Sequence, residues 1–433
     1  MPSSAIRRLD IAEESTYMSR DANGEPSADG LTWEPCELAD ATAIVAIGDT
    51  TTVAVNTATG GFGTNPGEAL IDPVTSAPVK SGTMTIDFYL RGGLTSTNLG
   101  SSGLRRLFSS RMRYQSINVA NNSSCAVTAG GVLTTANTPQ IGDIIPYTLP
   151  GGRVTYGAAP AASTTVSAKP QMETDDSFTA TSIERKSDGT GRSALWSVLA
   201  TGGDPVTYGT GTVALRVTGD GWQQLIFGAS LTALTITAEA EGRGIRCSCT
   251  VDCPCVIDVA PNEIDQPDWA TAVGSPILHS LGSPFRINIP NSSTSDPQDA
   301  NAAWCVSAWT LTLTWTTAGA ACGTYWTGRA PLEATSLDAS LQMTIGHPSE
   351  QSRLELTEAW AERKLIQLLL PFGGSISSDA GKSYGGAIFI PAAYVTDGTV
   401  TNPDLGSDAI QTTVTFGLSR ASAFGYIVCL GLF

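Results

Sequence analysis

Apolar and polar residues alternate through much of the chain. The stretch "TMTIDFYLRG" sets Met84, Ile86, Phe88 and Leu90 on one side and Thr85, Asp87 and Tyr89 on the other. "LDASLQMTIG" does the same with Leu337, Ala339, Leu341, Met343 and Ile345, and "AWTLTLTWTT" sets Trp309, Leu311, Leu313 and Trp315 against threonines. A period of two with one apolar row predicts half-buried antiparallel strands. Helical spacing predicts a helix over 352–370, with Ser352 and Glu355 as a capping box. Its apolar stripe is Leu356, Ala359, Trp360, Ile366, Leu369 and Leu370, and Pro371 and Gly373 stop it. A shorter helix is predicted over 101–113. The Thr/Ala/Gly-rich stretch 125–210 has weak periodicity and reads as an inserted, outward-facing β region or a set of long loops.

These elements recur in order. A strand (82–91) precedes the first helix and a strand (337–346) precedes the second. Later, "QQLIFGASLTALTITAEAEGRGIRCSCTVD" parallels "AIFIPAAYVTDGTVTNPDLGSDAIQTTVTFGLS": an apolar strand, a small-residue kink, a Gly turn and a final alternating strand. The expected fold is mainly β, with antiparallel sandwich or barrel domains, each with a flanking helix, duplicated in one chain. The domains are expected at 1–258 and 259–433, divided in the Pro-rich acidic linker 258–276.

The stretch "RCSCTVDCPC" (246–255) holds four cysteines. Their spacing, C-x-C-x3-C-x-C, departs from the C-x2-C to C-x4-C pairs of structural zinc sites. A one-residue gap puts Cys247, Cys249, Val251, Cys253 and Cys255 in one strand row, opposite Arg246, Ser248, Thr250, Asp252 and Pro254. Core packing is the favoured reading over a disulfide or a metal site. Pro254 is expected to end the ladder or mark an edge. In the paralleled second segment, Thr412 and Val414 fall near Cys247 and Cys249.

Composition narrows the function. Of 433 residues, 45 are Gly and only 15% are charged, which suits short strands and Gly-rich turns. The net charge of −16 argues against a nucleic-acid binder that neutralises phosphates. The N-terminal segment lacks an apolar core of signal-peptide length. No run approaches the roughly 18 apolar residues of a membrane span, and "AFGYIVCLGLF" reads as a last strand. The protein is therefore expected to be made in a cytoplasm, with reduced thiols. His279 and His347 sit in no nucleophile or metal motif. "AGKSYGG" (380–386) lacks the P-loop's first glycine, since position 376 is Ile. "DANGEPSADG" (21–30) has Pro26 where a calcium loop needs Gly. No catalytic, cofactor or metal site is predicted, and the chain is not expected to be an enzyme.

Two stretches carry a resemblance. "KSGTMTIDFYLRGGLTSTNLGSSGLRRLFSSRM" resembles the middle of tail tube proteins of long-tailed bacteriophages, where a strand ending Leu-Arg-Gly leads through a Gly-rich loop to a Leu-rich helix. "FGASLTALTITAEAEGRGIRCSCTV" resembles their next segment, an acidic turn between two strands. The match covers about a third of the chain. Many relatives are single tube domains, whereas this chain reads as two, and the 125–210 insertion matches none of them.

The resemblance implies a structural subunit of the virion tail, assembled in the host cytoplasm. Its rings would stack around a bore through which double-stranded DNA passes without specific binding. It implies as partners further copies of the chain, a tape measure protein, and tail terminator or distal tail proteins. With two units per chain, three chains would form a pseudo-sixfold ring. Asp87, Glu239, Glu241 and Asp408 are the candidate bore-lining residues. The rival is a β-sandwich decoration or carbohydrate-binding module, with Trp222, Trp304 or Trp326 exposed for stacking on sugars.

Overall fold

The period-two rows become strands. The computed structural model describes residues 6–19, 21, 26–36, 45–47, 80–90, 106–108, 110–118, 125–127, 132–135, 144–148, 154–158, 165–167, 192–199, 211–219, 221–239, 244–260, 277–280, 285–288, 298–299, 305–319, 330–346, 350–373, 385–396, 411–419 and 426–432. The protein is mainly β and antiparallel, and its large sheet does not close into a barrel. The first strands are β1 (Ile6–Glu13), β2 (Glu34–Cys36), β3 (Val45–Ile47) and β4 (Lys80–Tyr89). A helical turn follows, in which Ser110 N–H donates to Arg106 C=O and Met112 N–H to Phe108 C=O. It packs Phe108 on Phe88, with ring centroids 6.0 Å apart.

Next come β5 (Arg113–Asn118), β6 (Cys125–Val127), β7 (Val132–Thr135), β8 (Ile144–Thr148), β9 (Val154–Ala158), β10 (Thr165–Ser167) and β11 (Arg192–Leu199). The pairs β6–β7 and β7–β10 form one small sheet and β8–β9 another. The first half ends with β12 (Val213–Gly219), β13 (Trp222–Glu239) and β14 (Arg246–Val259). The second half holds β15 (Arg286–Asn288), β16 (Gln298–Asp299), β17 (Cys305–Ala318), β18 (Glu333–Gly346), helix α1 (Glu350–Ala361), β19 (Ile366–Gly373), β20 (Gly385–Val395), β21 (Gln411–Leu418) and β22 (Tyr426–Leu432). Strand β11 lies between β5 and β22, so the region after the helical turn is paired to the last strand of the chain.

One ladder of pairings occurs twice. In the first half the neighbours run β2–β1–β12–β13–β14–β4–β3. In the second they run β16–β15–β19–β20–β21–β18–β17. The registers agree as well. Val213 and Leu215 face Ala229 and Ile226, and Ile366 and Leu368 face Ala393 and Ile390, so the same bulge interrupts both hairpins. Just past it, Thr232 Oγ1 donates to Thr250 C=O (3.0 Å), and Thr396 Oγ1 donates to Thr415 C=O (2.9 Å). Cys249 faces Ile86 where Val414 faces Met343, and Cys247 faces Phe88 where Thr412 faces Ile345. The halves join where β17 pairs with the far part of β13, from Ala233 to Glu239.

The apolar rows meet in one core that includes Met84, Ile86, Phe88, Leu311, Leu341, Met343 and Phe416. Cys247, Cys249 and Cys253 belong to it and are fully buried. Burial, with a smaller push from Asp87, holds the Cys247 thiol well above its usual range. Cys255 departs from the expected row. Pro254 sits where the β14–β4 register shifts, and beyond it the strand presents its other face. Cys255 therefore packs with Tyr17, Met18 and Phe227 in a smaller cluster, while β14 continues to Val259.

The helix over 352–370 is also corrected. It ends at Ala361, and Ile366–Gly373 is a strand. Arg363 is left-handed (φ 53°), Lys364 N–H bonds to Ala359 C=O, and Arg363 N–H to Trp360 C=O. This pattern closes the last turn. Ser352 lies inside the helix, which begins at Glu350. Leu356 and Ala359 are buried, but Trp360 is 43% exposed and does not belong to the buried stripe.

Glu14 is a buried acid that nothing in its sequence context flags. Its carboxylate accepts from Thr212 Oγ1 (2.7 Å) and from Gly228 N–H (3.1 Å) in the bulge of β13. Burial pushes its pKa up to about 7, against the downward pull of those bonds and of one from the Met18 backbone. A folded-state pKa above the unfolded value favours folding when protonated. The Glu14 contribution to stability is expected to be full below pH 4.5 and to be lost as pH rises to about 7, by up to about 3 kcal/mol. Urea unfolding at pH 5 and pH 8 checks this, and Glu14→Gln should flatten the difference. An unchanged pH dependence in that variant would show that another group controls it.

A threonine-rich face across both halves

The face opposite the core is polar and continuous. Directly opposed residues in a sheet share a face, so the registers define it. Thr85 faces Thr250, Asp87 faces Ser248, and Ser248 faces Thr235. Thr235 and Thr237 face Thr312 and Thr310 across the joint between the halves. Those threonines face Ser340 and Gln342, and Gln342 and Thr344 face Thr415 and Thr413. Six strands, β4–β14–β13–β17–β18–β21, thus present one surface of hydroxyl and amide groups. Thr85, Thr314, Gln342 and Thr413 on it are exposed.

Charge on this face is sparse. Arg246 is its one cation among the described residues, and Arg246 Nη2 donates to Asp87 Oδ2 at 2.6 Å. Glu239 ends β13 and is exposed, and Asp338 is exposed on β18. A shallow cavity between β4, β13 and β14 is lined by Asp87, Tyr89, Thr237, Glu239 and Arg246. Of the four expected bore residues, Asp87 and Glu239 share this face and this cavity. Glu241 and Asp408 lie outside the described residues. The sequence reading missed the larger share of the surface, which is the threonine rows; their signal was present in "AWTLTLTWTT" but pointed only to the solvent side of one strand.

Tyr394 belongs to the same face. It is 40% exposed, and its ring covers Gly417, where a Cβ would stand 2.5 Å from the ring. Of the aromatics considered for sugar stacking, Trp222 is partly buried against the core and lies over Gly219. Trp304 and Trp326 lie outside the described residues. No helix among the described residues is long and apolar enough to cross a membrane.

The fold and this surface define an antiparallel β protein in which one pairing ladder occurs twice around a shared polar face. Set against known proteins, the chain matches no family model and no curated protein.

Proposed function

We propose that the chain is a structural subunit of a viral tail tube, in which the two halves, 1–258 and 259–433, act as two tube domains of one ring. The threonine-rich face lines the bore, and double-stranded DNA passes over it. The observation that carries this reading is the continuity of that face over six strands and across the joint between halves. Hydroxyl groups hydrate the surface without fixing phosphates, and a net charge of −16 opposes phosphate binding over the whole particle. A basic face would trap DNA by counterion release.

Strand number supports a hollow assembly of several chains. A barrel of about eight strands is filled by its own side chains, whereas roughly 16–18 strands already leave an aqueous channel. Three chains would bring about 24 strands to one ring, counting β3 and β20 with the six described above. The tape measure protein and the tail terminator or distal tail proteins follow from the resemblance as its further partners. Negative-stain microscopy of the purified protein tests the proposal. Rings or stacked tubes with an open centre are expected; small separate particles at every concentration would overturn it.

A further inference from the structure

The one cation described on the threonine-rich face is capped. Arg246 opens β14 with its side chain half-exposed, and Arg246 Nη2 donates to Asp87 Oδ2 on β4 at 2.6 Å. The Asp87 side chain is mostly buried, which holds its carboxylate in place. Its other oxygen, Oδ1, is buried and accepts no hydrogen bond from the described residues. An ion pair with one exposed partner and one unsatisfied oxygen adds little to stability. The placement of this acid calls for another reason.

The duplication supplies one. By register, Thr344 holds the place of Asp87, and Gln411 that of Arg246. Asp87 faces Ser248 as Thr344 faces Thr413, and Arg246 faces Tyr89 as Gln411 faces Gly346. The first half carries a cation together with its anion, and the second carries neither. Both halves are neutral over this pair of positions although the residues differ.

We propose that Asp87 masks Arg246, keeping the guanidinium from DNA phosphates as the duplex passes. This rests on the bore reading of the face. A bare guanidinium presents a planar fork of donors that matches a phosphate. Rotational symmetry would set one such group per chain at a single height of the ring, so that three would meet the duplex together. Paired with a carboxylate, the same group has no net charge to offer. Glu239, which lines the same cavity, adds negative charge beside the pair.

Asp87→Thr puts the second half's residue into the first and bares Arg246. Assembled rings of this variant are expected to bind duplex DNA. With three phosphates neutralised, the affinity should fall about 40-fold between roughly 50 and 200 mM salt. Rings of Arg246→Gln, and of the double variant that repeats the second half's pair, are expected to bind no more DNA than wild-type rings. The return of the double variant to wild-type behaviour separates masking from a loss of structure. Two results would overturn the masking and leave the tube reading standing. One is DNA binding that persists in the double variant. The other is Asp87→Thr rings that bind no more DNA than wild type, while rings carrying Thr85→Lys, Thr314→Lys and Thr413→Lys do bind it. Failure of both kinds of ring to bind DNA, or of the wild type to assemble, would overturn both.

Discussion

Replacing Asp10 with alanine is expected to lower the unfolding free energy by about 3–5 kcal/mol. Asp10 is fully buried between β1 and β12. Its two oxygens accept from Arg8 Nε and Arg216 Nε, both at 2.9 Å. Arg216 is also buried, with its guanidinium 4.8 Å from the Trp33 ring centre. Burial pulls the Arg216 pKa down while Asp10 pulls it up. Removing the carboxylate would leave two buried cations facing each other. The second half shows that the ladder does not require this cluster. By register, Arg286 takes the place of Asp10 and the buried Leu369 that of Arg216. Urea unfolding of Asp10→Ala beside the wild type measures the effect. A loss below about 1 kcal/mol would mean that the two arginines are hydrated in solution.

Lysines on the threonine face should turn a passive surface into a DNA trap. Thr85, Thr314 and Thr413 are exposed and sit on β4, β17 and β21. Replacing all three with lysine is expected to leave folding within about 1 kcal/mol of wild type, as for solvent-facing substitutions. Threonine is a better target here than Asp87, whose carboxylate already holds Arg246. Assembled variant rings should bind duplex DNA, with log K falling against log salt by about 0.9 for each phosphate neutralised. Wild-type rings should bind none, and infection with variant tubes should stall at DNA delivery. Variant rings that assemble but show no salt-dependent DNA binding would place this face away from the bore.

The strands with one buried row were legible because their period of two needs no knowledge of neighbours. β4, β17 and β18 run through "TMTIDFYLRG", "AWTLTLTWTT" and "LDASLQMTIG". The error at 352–370 has a physical cause. β19 is buried on both faces, so "IQLLLPF" is a continuous apolar run that also satisfies helical spacing. The helix before it ends on Arg363 in the left-handed region, a place where glycine would have been a visible stop. Cys255 was misplaced because a bulge changes which face a residue meets, and the bulge involves Gly228 and Pro254, which come together only in the fold. Asp10 and Glu14 sit in "IRRLDIAEES", which reads as a solvated charged segment until β12 and β13 cover it. The polar face was readable one strand at a time. Its continuity depends on β13 meeting β17 across about 70 residues of chain, and such a long-range pairing leaves no local signal.

In the proposed ring, one chain supplies two equivalent units. The mass of a single assembled ring, measured by native mass spectrometry, tests this most directly. Three chains of 44.9 kDa predict a ring of about 135 kDa. A ring of six full chains, about 270 kDa, would contradict it.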